Sequence, residues 1–194
     1  MNRRNLAIAA VLLIGGLLIF RKPLQKILPS GKITPTETSN ETMNVTPQPI
    51  PGKPQVQIET VRGKFIVELR PDVAPKTVTN FLTKFSNGYC VNKTFHRVED
   101  WVVQGCDPAG DGTGGADFLP TETSSESFTA GSLGVARKAN PKEISNDSQF
   151  FIVKTDSTFL DSEYTYFGKV VSGLDVVNSL SVGDKIISTD ILTK

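Results

Sequence analysis

The chain has 194 residues, 38% hydrophobic, 8% aromatic and 21% charged, with a formal net charge of +1. That length accommodates one domain with appendages, and that composition argues against wholesale disorder and against a strongly basic nucleic-acid binder. Two cysteines exclude a disulfide-dense scaffold, and a single histidine argues against a Cys/His zinc site or a nucleophile–histidine–carboxylate hydrolase.

Residues 1–22 start with Arg3 and Arg4, run apolar from Leu6 to Phe20 and close with Arg21 and Lys22. A charged start before an apolar run is a signal-type layout. No A-x-A-like pattern follows the run and no cysteine offers a lipid attachment point, so an uncleaved hydrophobic anchor helix is expected. Secretion after cleavage is the alternative. The run is shorter than the roughly 20 residues a span usually takes, and arginines at both ends can snorkel to the interface. Arg3 and Arg4 favour a cytoplasmic N-terminus, while Arg21, Lys22, Lys26 and Lys32 count against export. The expected arrangement is a membrane anchor with the domain outside the cytoplasm.

Residues 23–54 hold seven of the twelve prolines among many Thr, Ser and Asn, a composition that predicts a disordered, flexible linker. Up to residue 54 the chain carries seven basic and two acidic residues, which leaves 14 basic and 18 acidic residues for the remainder. An acidic domain behind a basic anchor is not a nucleic-acid reader.

Residues 55–194 read as one mainly β domain. The first predicted strands, 55–60 and 64–69, flank Val61-Arg62-Gly63, a hairpin whose glycine is free to take positive φ. Pro75 opens a helix with Val78, Phe81, Leu82 and Phe85 on one face and Asn87-Gly88 as its stop. Further strands are predicted at 94–98, 101–106, 133–137, 149–153, 166–171 and 185–192, with a second helix at 174–180. Eight such runs between Gly-, Pro- and Asp-rich turns predict a closed barrel or a sandwich.

The glycine-rich loop from Gly105 to Gly115 lacks both phosphate-cradle spacings, and Asp107 and Asp111 lack calcium-loop spacing. No cofactor and no metal is expected. His96 has no evident nucleophile partner and, taken alone, reads as a packed strand residue. The informative feature is a series of blocks: Phe95-His96-Arg97-Val98, Trp101-Val102-Val103-Gln104-Gly105, Asp111-Gly112-Thr113-Gly114-Gly115, Ser132 to Arg137, Ser148-Gln149-Phe150-Phe151-Ile152, Phe159-Leu160-Asp161 and Phe167-Gly168-Lys169-Val170.

In order and near-family spacing, these blocks resemble the cyclophilin family of peptidyl-prolyl cis–trans isomerases, over residues 56–192. The resemblance implies a closed eight-stranded antiparallel β-barrel capped by two α-helices, with a proline pocket on one face. It makes Arg97 and Gln104 the catalytic pair. Phe151 becomes the pocket floor and Gln149 its rim. His96, Trp101 and Val102 also count as substrate-binding, Ala139 and Asn140 match the segment that binds peptide backbone, and Phe159, Leu160 and Tyr164 match the outer wall. The chain departs from the common eukaryotic pattern at Glu99-Asp100, which replaces a Pro-Gly turn, at Phe159 for tryptophan and at Tyr164 for histidine. Both aromatic changes look bacterial and argue against tight cyclosporin binding. The implied function is isomerisation of X–Pro bonds in proline-containing polypeptides by a monomer. The alternative is a proline-peptide-binding chaperone or scaffold that does not depend on turnover. Cys90 and Cys106 are open to two readings, a disulfide after export or two packed thiols.

Overall fold

The computed structural model describes residues 52–192, so the expected anchor at 1–22 and the linker up to residue 51 lie outside the described residues. Among the described residues no helix is long and apolar enough to cross a membrane.

Strands β1 (Gln55–Thr60) and β2 (Gly63–Leu69) alternate as their sequences dictate, with Val56, Ile58, Phe65, Val67 and Leu69 buried and Glu59 and Lys64 outward. Thr60 pairs with Gly63 across a two-residue turn, and Gly63 takes φ +135°, a value closed to side chains with a Cβ. Helix α1 (Pro75–Ser86) follows. Its N-terminus lacks a side-chain cap of its own, and the Glu122 carboxylate supplies one from a distance, accepting from the Lys76 and Thr77 amides at 3.1 and 2.9 Å. Val78, Phe81 and Phe85 point into the core, where Phe81 stacks on Phe167 at 4.8 Å and Phe150 meets Phe81 and Phe85 edge-on.

The remaining elements are β3 (Phe95–Val98), β4 (Val102–Gly105), β5 (Asp117–Pro120), β6 (Ser132–Val135), β7 (Ile144–Asn146), β8 (Phe150–Val153), a 3₁₀ turn (Thr158–Leu160), β9 (Tyr166–Ser172), α2 (Leu174–Ser179) and β10 (Ile186–Leu192). Eight strands form one antiparallel sheet in the order β10-β1-β2-β9-β6-β8-β4-β3, while β5 and β7 pair as a separate ribbon. The sheet is curled. Its terminal strands approach through the Thr94–Lys185 bridge and backbone bonds such as Phe95 N–H to Asp184 O at 2.9 Å, where a closed barrel would carry a continuous ladder. The 5–7 ribbon and the 3₁₀ turn are additions to the elements expected from sequence.

The inner strands β6 and β8 are buried along their whole length because they are covered on both faces. By strand alternation, Phe150 and Ile152 enter the main core, as do Val103 and Leu133. Their neighbours Phe151, Val153 and Val102 face the other way and join Phe128, Leu160 and Tyr166 in a second apolar cluster. That second cluster is the bed on which the candidate site lies.

Candidate active site

Arg97 on β3 stands opposite Gln104 on β4, and Gln104 stands opposite Phe151 on β8. Sheet register therefore sets a guanidinium, an amide and a phenyl ring side by side. One Arg97 Nη1 N–H reaches Gln104 Oε1 at 3.4 Å, and Gln104 Nε2 donates to Gln149 Oε1 at 2.9 Å. Gln149 Nε2 in turn donates to the carbonyls of Gly112 and Gly114 and to Asp107 Oδ1, at 3.1, 2.7 and 3.2 Å. The buried Asp107 carboxylate also accepts from the Asp111 and Gly112 amides. This chain of bonds ties the glycine-rich loop to the arginine.

Phe151 forms the floor of a cavity of about 90 Å³, its ring stacked on Phe128 and edge-on to Tyr164, both at 5.8 Å. Trp101, Val102, Leu160 and Tyr164 wall it, and Arg97 and Gln104 stand at its polar side. Gly134, opposite Phe151 on β6, leaves room for that ring, since a Cβ there would come within 2.6 Å of Phe151 Cε2. A wider cavity of about 370 Å³ shares Gln104, Ala136 and Arg137 with the first and continues past Gly112, Asp117, Lys138 and Gln149.

Four expected site residues lie elsewhere. His96 packs against Gly112 and lines neither cavity, and its Nδ1 is buried with no partner among the described residues. Burial pushes its pKa below the ordinary histidine value, with Asp107 and Asp111 acting in the opposite direction. Phe159 is 67% exposed and meets Trp101 edge-on, ring centres 5.2 Å apart. Ala139 and Asn140 sit in an exposed loop that bears a cis Asn140–Pro141 bond, outside both cavities. Ala136 and Arg137, the residues that leave β6 directly, line both cavities.

Two contributors emerge only from the structure. Arg137 is nearly enclosed, its guanidinium carbon 4.4 Å from the Tyr164 ring centre and its Nη2 3.2 Å from the Glu163 carboxylate, so it braces the wall between the two cavities. Glu99 binds Arg97 Nε at 2.7 Å and Trp101 Nε1 at 2.8 Å. The Arg97 hydrogen bond holds the Glu99 carboxyl below the usual carboxylate range. Cys90 and Cys106 form a disulfide, Cα atoms 4.9 Å apart, joining the segment after α1 to the glycine-rich loop just past Gln104. Among the described residues no group of three or more His, Cys, Asp and Glu could hold a metal ion.

The model of the cyclophilin type peptidyl-prolyl cis-trans isomerase family matches residues 55–191. Peptidyl-prolyl cis-trans isomerase ppi1 of Schizosaccharomyces pombe is 40% identical over 132 residues, covering 66% of this chain and 84% of the relative. A probable peptidyl-prolyl cis-trans isomerase of Brucella suis is 39% identical over 137 residues, covering 63% and 69%. Among solved structures, a cyclophilin type peptidyl-prolyl cis-trans isomerase of Cryptosporidium parvum superposes with a TM-score of 0.67 at 31% identity, covering 74% of this chain and 99% of the other. The same protein has been solved in the presence of the dipeptide Ala-Pro, with a TM-score of 0.66 to this chain. With strand order, cavity and sequence blocks all in agreement, the chain belongs to the cyclophilin-type peptidyl-prolyl cis–trans isomerase family.

Proposed function

We propose that this chain catalyses cis–trans isomerisation of X–Pro bonds in polypeptides, with Arg97 as the catalytic group and the Phe151-floored cavity as the proline site. The observation that carries the reading is a guanidinium at the edge of a small aromatic cavity. Twisting a prolyl amide costs about 18–20 kcal/mol because resonance is lost, and uncatalysed exchange takes tens to hundreds of seconds. An acceleration of about 10⁴-fold requires about 5.5 kcal/mol of stabilisation selective for the twisted state. In that state the prolyl nitrogen becomes pyramidal and gains a lone pair. An Arg97 N–H aimed at it favours the twisted form over the planar one, and no proton changes hands because a guanidinium does not deprotonate. Phe151, Leu160 and Tyr164 grip the ring and exclude water, which strengthens that bond. Gln104 holds Arg97 from the strand side, and the larger cavity accommodates residues that precede the proline.

Phe159 and Tyr164 support a place on the bacterial side of the family. The apolar run after Arg3 and Arg4 supports a membrane anchor, and the disulfide supports an oxidising compartment outside the cytoplasm. On this reading the protein is a tethered foldase acting on polypeptides at the outer face of a membrane. The experiment is isomerisation of an Ala-Pro peptide by the full-length chain and by Arg97→Ala. Loss of catalysis with retained peptide binding supports the isomerase. Binding by a wild-type protein that gives no rate above background would replace it with the chaperone reading.

A further inference from the structure

Arg97 is half-exposed, on a long stem, and its bond to Gln104 is long at 3.4 Å. Such a side chain samples many rotamers unless something fixes it. The short bond it makes is to Glu99, two residues on, at 2.7 Å through Nε. Because a guanidinium is a rigid planar fork, fixing the Nε direction fixes the plane and the aim of the terminal nitrogens. Of the five N–H groups of Arg97, Glu99 takes the one nearest the stem and Gln104 takes one on Nη1, and among the described residues the other three meet no protein acceptor.

The second carboxylate oxygen of Glu99 accepts from Trp101 Nε1 at 2.8 Å, and the Trp101 ring lies beside the guanidinium, 5.3 Å from Cζ. One side chain therefore bridges the polar and apolar sides of the cavity. Glu99 is itself held: its amide donates to Val102 O at 2.8 Å and its carbonyl accepts from Lys154 Nζ at 2.9 Å. A Pro-Gly turn, with no carboxylate to bond Arg97 and Trp101, could not do this.

We propose that Glu99 is a positioning residue for the isomerase site: through one carboxylate it orients Arg97 for the twisted peptide and fixes Trp101 in the cavity wall beside it. The proposal rests on the isomerase reading above and deepens it. A group that orients a donor for the transition state lowers kcat when removed, whereas loss of uniform binding raises KM, and a misaimed catalytic group costs about tenfold to a hundredfold.

The test uses the full-length chain as wild type, Glu99→Ala, Glu99→Gln and Arg97→Ala. Exchange NMR on an Ala-Pro peptide gives kcat and KM, and solvent exchange of the Arg97 Nε–H is followed without peptide. Glu99→Ala is expected to lower kcat about tenfold or more while KM rises less than about threefold. It is also expected to speed Nε–H exchange in the free protein. Glu99→Gln keeps an acceptor for Arg97 and is expected to recover most of kcat. Far-ultraviolet circular dichroism and the urea midpoint check that each variant is folded, since Trp101 emission would change with the lost Glu99 bond itself. A Glu99→Ala enzyme as fast as wild type or faster, or with unchanged Nε–H exchange, overturns the positioning role. An Arg97→Ala enzyme that retains full activity overturns the assignment of catalysis to Arg97 and the positioning role with it, so the two failures are told apart.

Discussion

Gly134→Ala sets the packing under the proline site against itself. Position 134 is an extended residue of β6, outside the positive-φ glycines, so alanine fits its backbone, and restricting the unfolded chain contributes about 0.4–1 kcal/mol in the variant's favour. Space opposes it. The new Cβ would lie 2.8 Å from Phe128 Cε1 and closer still to Phe151. Neither ring is a loose end, since Phe128 is fully buried, Phe151 is 5% exposed and the two stack on each other. Overpacking of this kind costs about 1–3 kcal/mol, so the net loss is about 1–2 kcal/mol, a fall in Tm of about 3–8 °C. The open direction for the displaced Phe151 ring is the cavity of about 90 Å³ above it. Activity should therefore fall further than stability does. Urea unfolding and Ala-Pro isomerisation on the same preparation measure both. A variant as stable as wild type refutes the packing argument. A destabilised variant with undiminished kcat/KM refutes the assignment of Phe151 as the floor of the working site.

Two further outcomes follow from buried features. Reducing the disulfide, or replacing both cysteines by alanine, opens a link that spans 16 residues, which in the chain-entropy account lowers stability by about 3 kcal/mol. Coincident urea midpoints with and without reductant would show that the bond is absent from the folded protein. His96 titrates lower in the folded chain than in the unfolded one, so the unfolded chain binds the proton more readily and stability is lost as pH falls below about 6.5, the loss being complete below the folded-state value. In His96→Asn that part of the decline should vanish, and a wild-type-minus-variant difference that stays constant with pH would refute it.

Much of the framework was legible because its residues obey simple periods. Val56 and Ile58 against Phe65 and Val67 alternate, and Val78, Phe81 and Phe85 recur with a helical repeat, so both hairpin and helix lie where the pattern puts them. The β5–β7 ribbon was not legible. Phe118 is 61% exposed, Ser145 and Asn146 are buried polar residues, and the pairing is closed by side-chain bonds such as Thr121 to Ser145 that carry no apolar period. In the site, Arg97, Gln104 and Phe151 could be placed because adjacent strands fix their neighbours. Ala139 and Asn140 lie in the exposed loop after β6, whose course no apolar period in the sequence describes. Glu99 stood out as a departure from a Pro-Gly turn, but its two hydrogen bonds depend on how the turn folds back over Arg97.

The meeting of the first and last sheet strands has a consequence for the company this protein keeps. A member of a peptidyl-prolyl isomerase family meets polypeptide backbones, and an exposed strand edge can recruit such backbones as additional strands. Here the chain next to β3 donates and accepts against residues 183–186 rather than against a guest, and Thr189 on β10 bonds Phe85 O at the end of α1. These bonds occupy backbone groups along part of both edge strands, which leaves less of either edge open to a further strand.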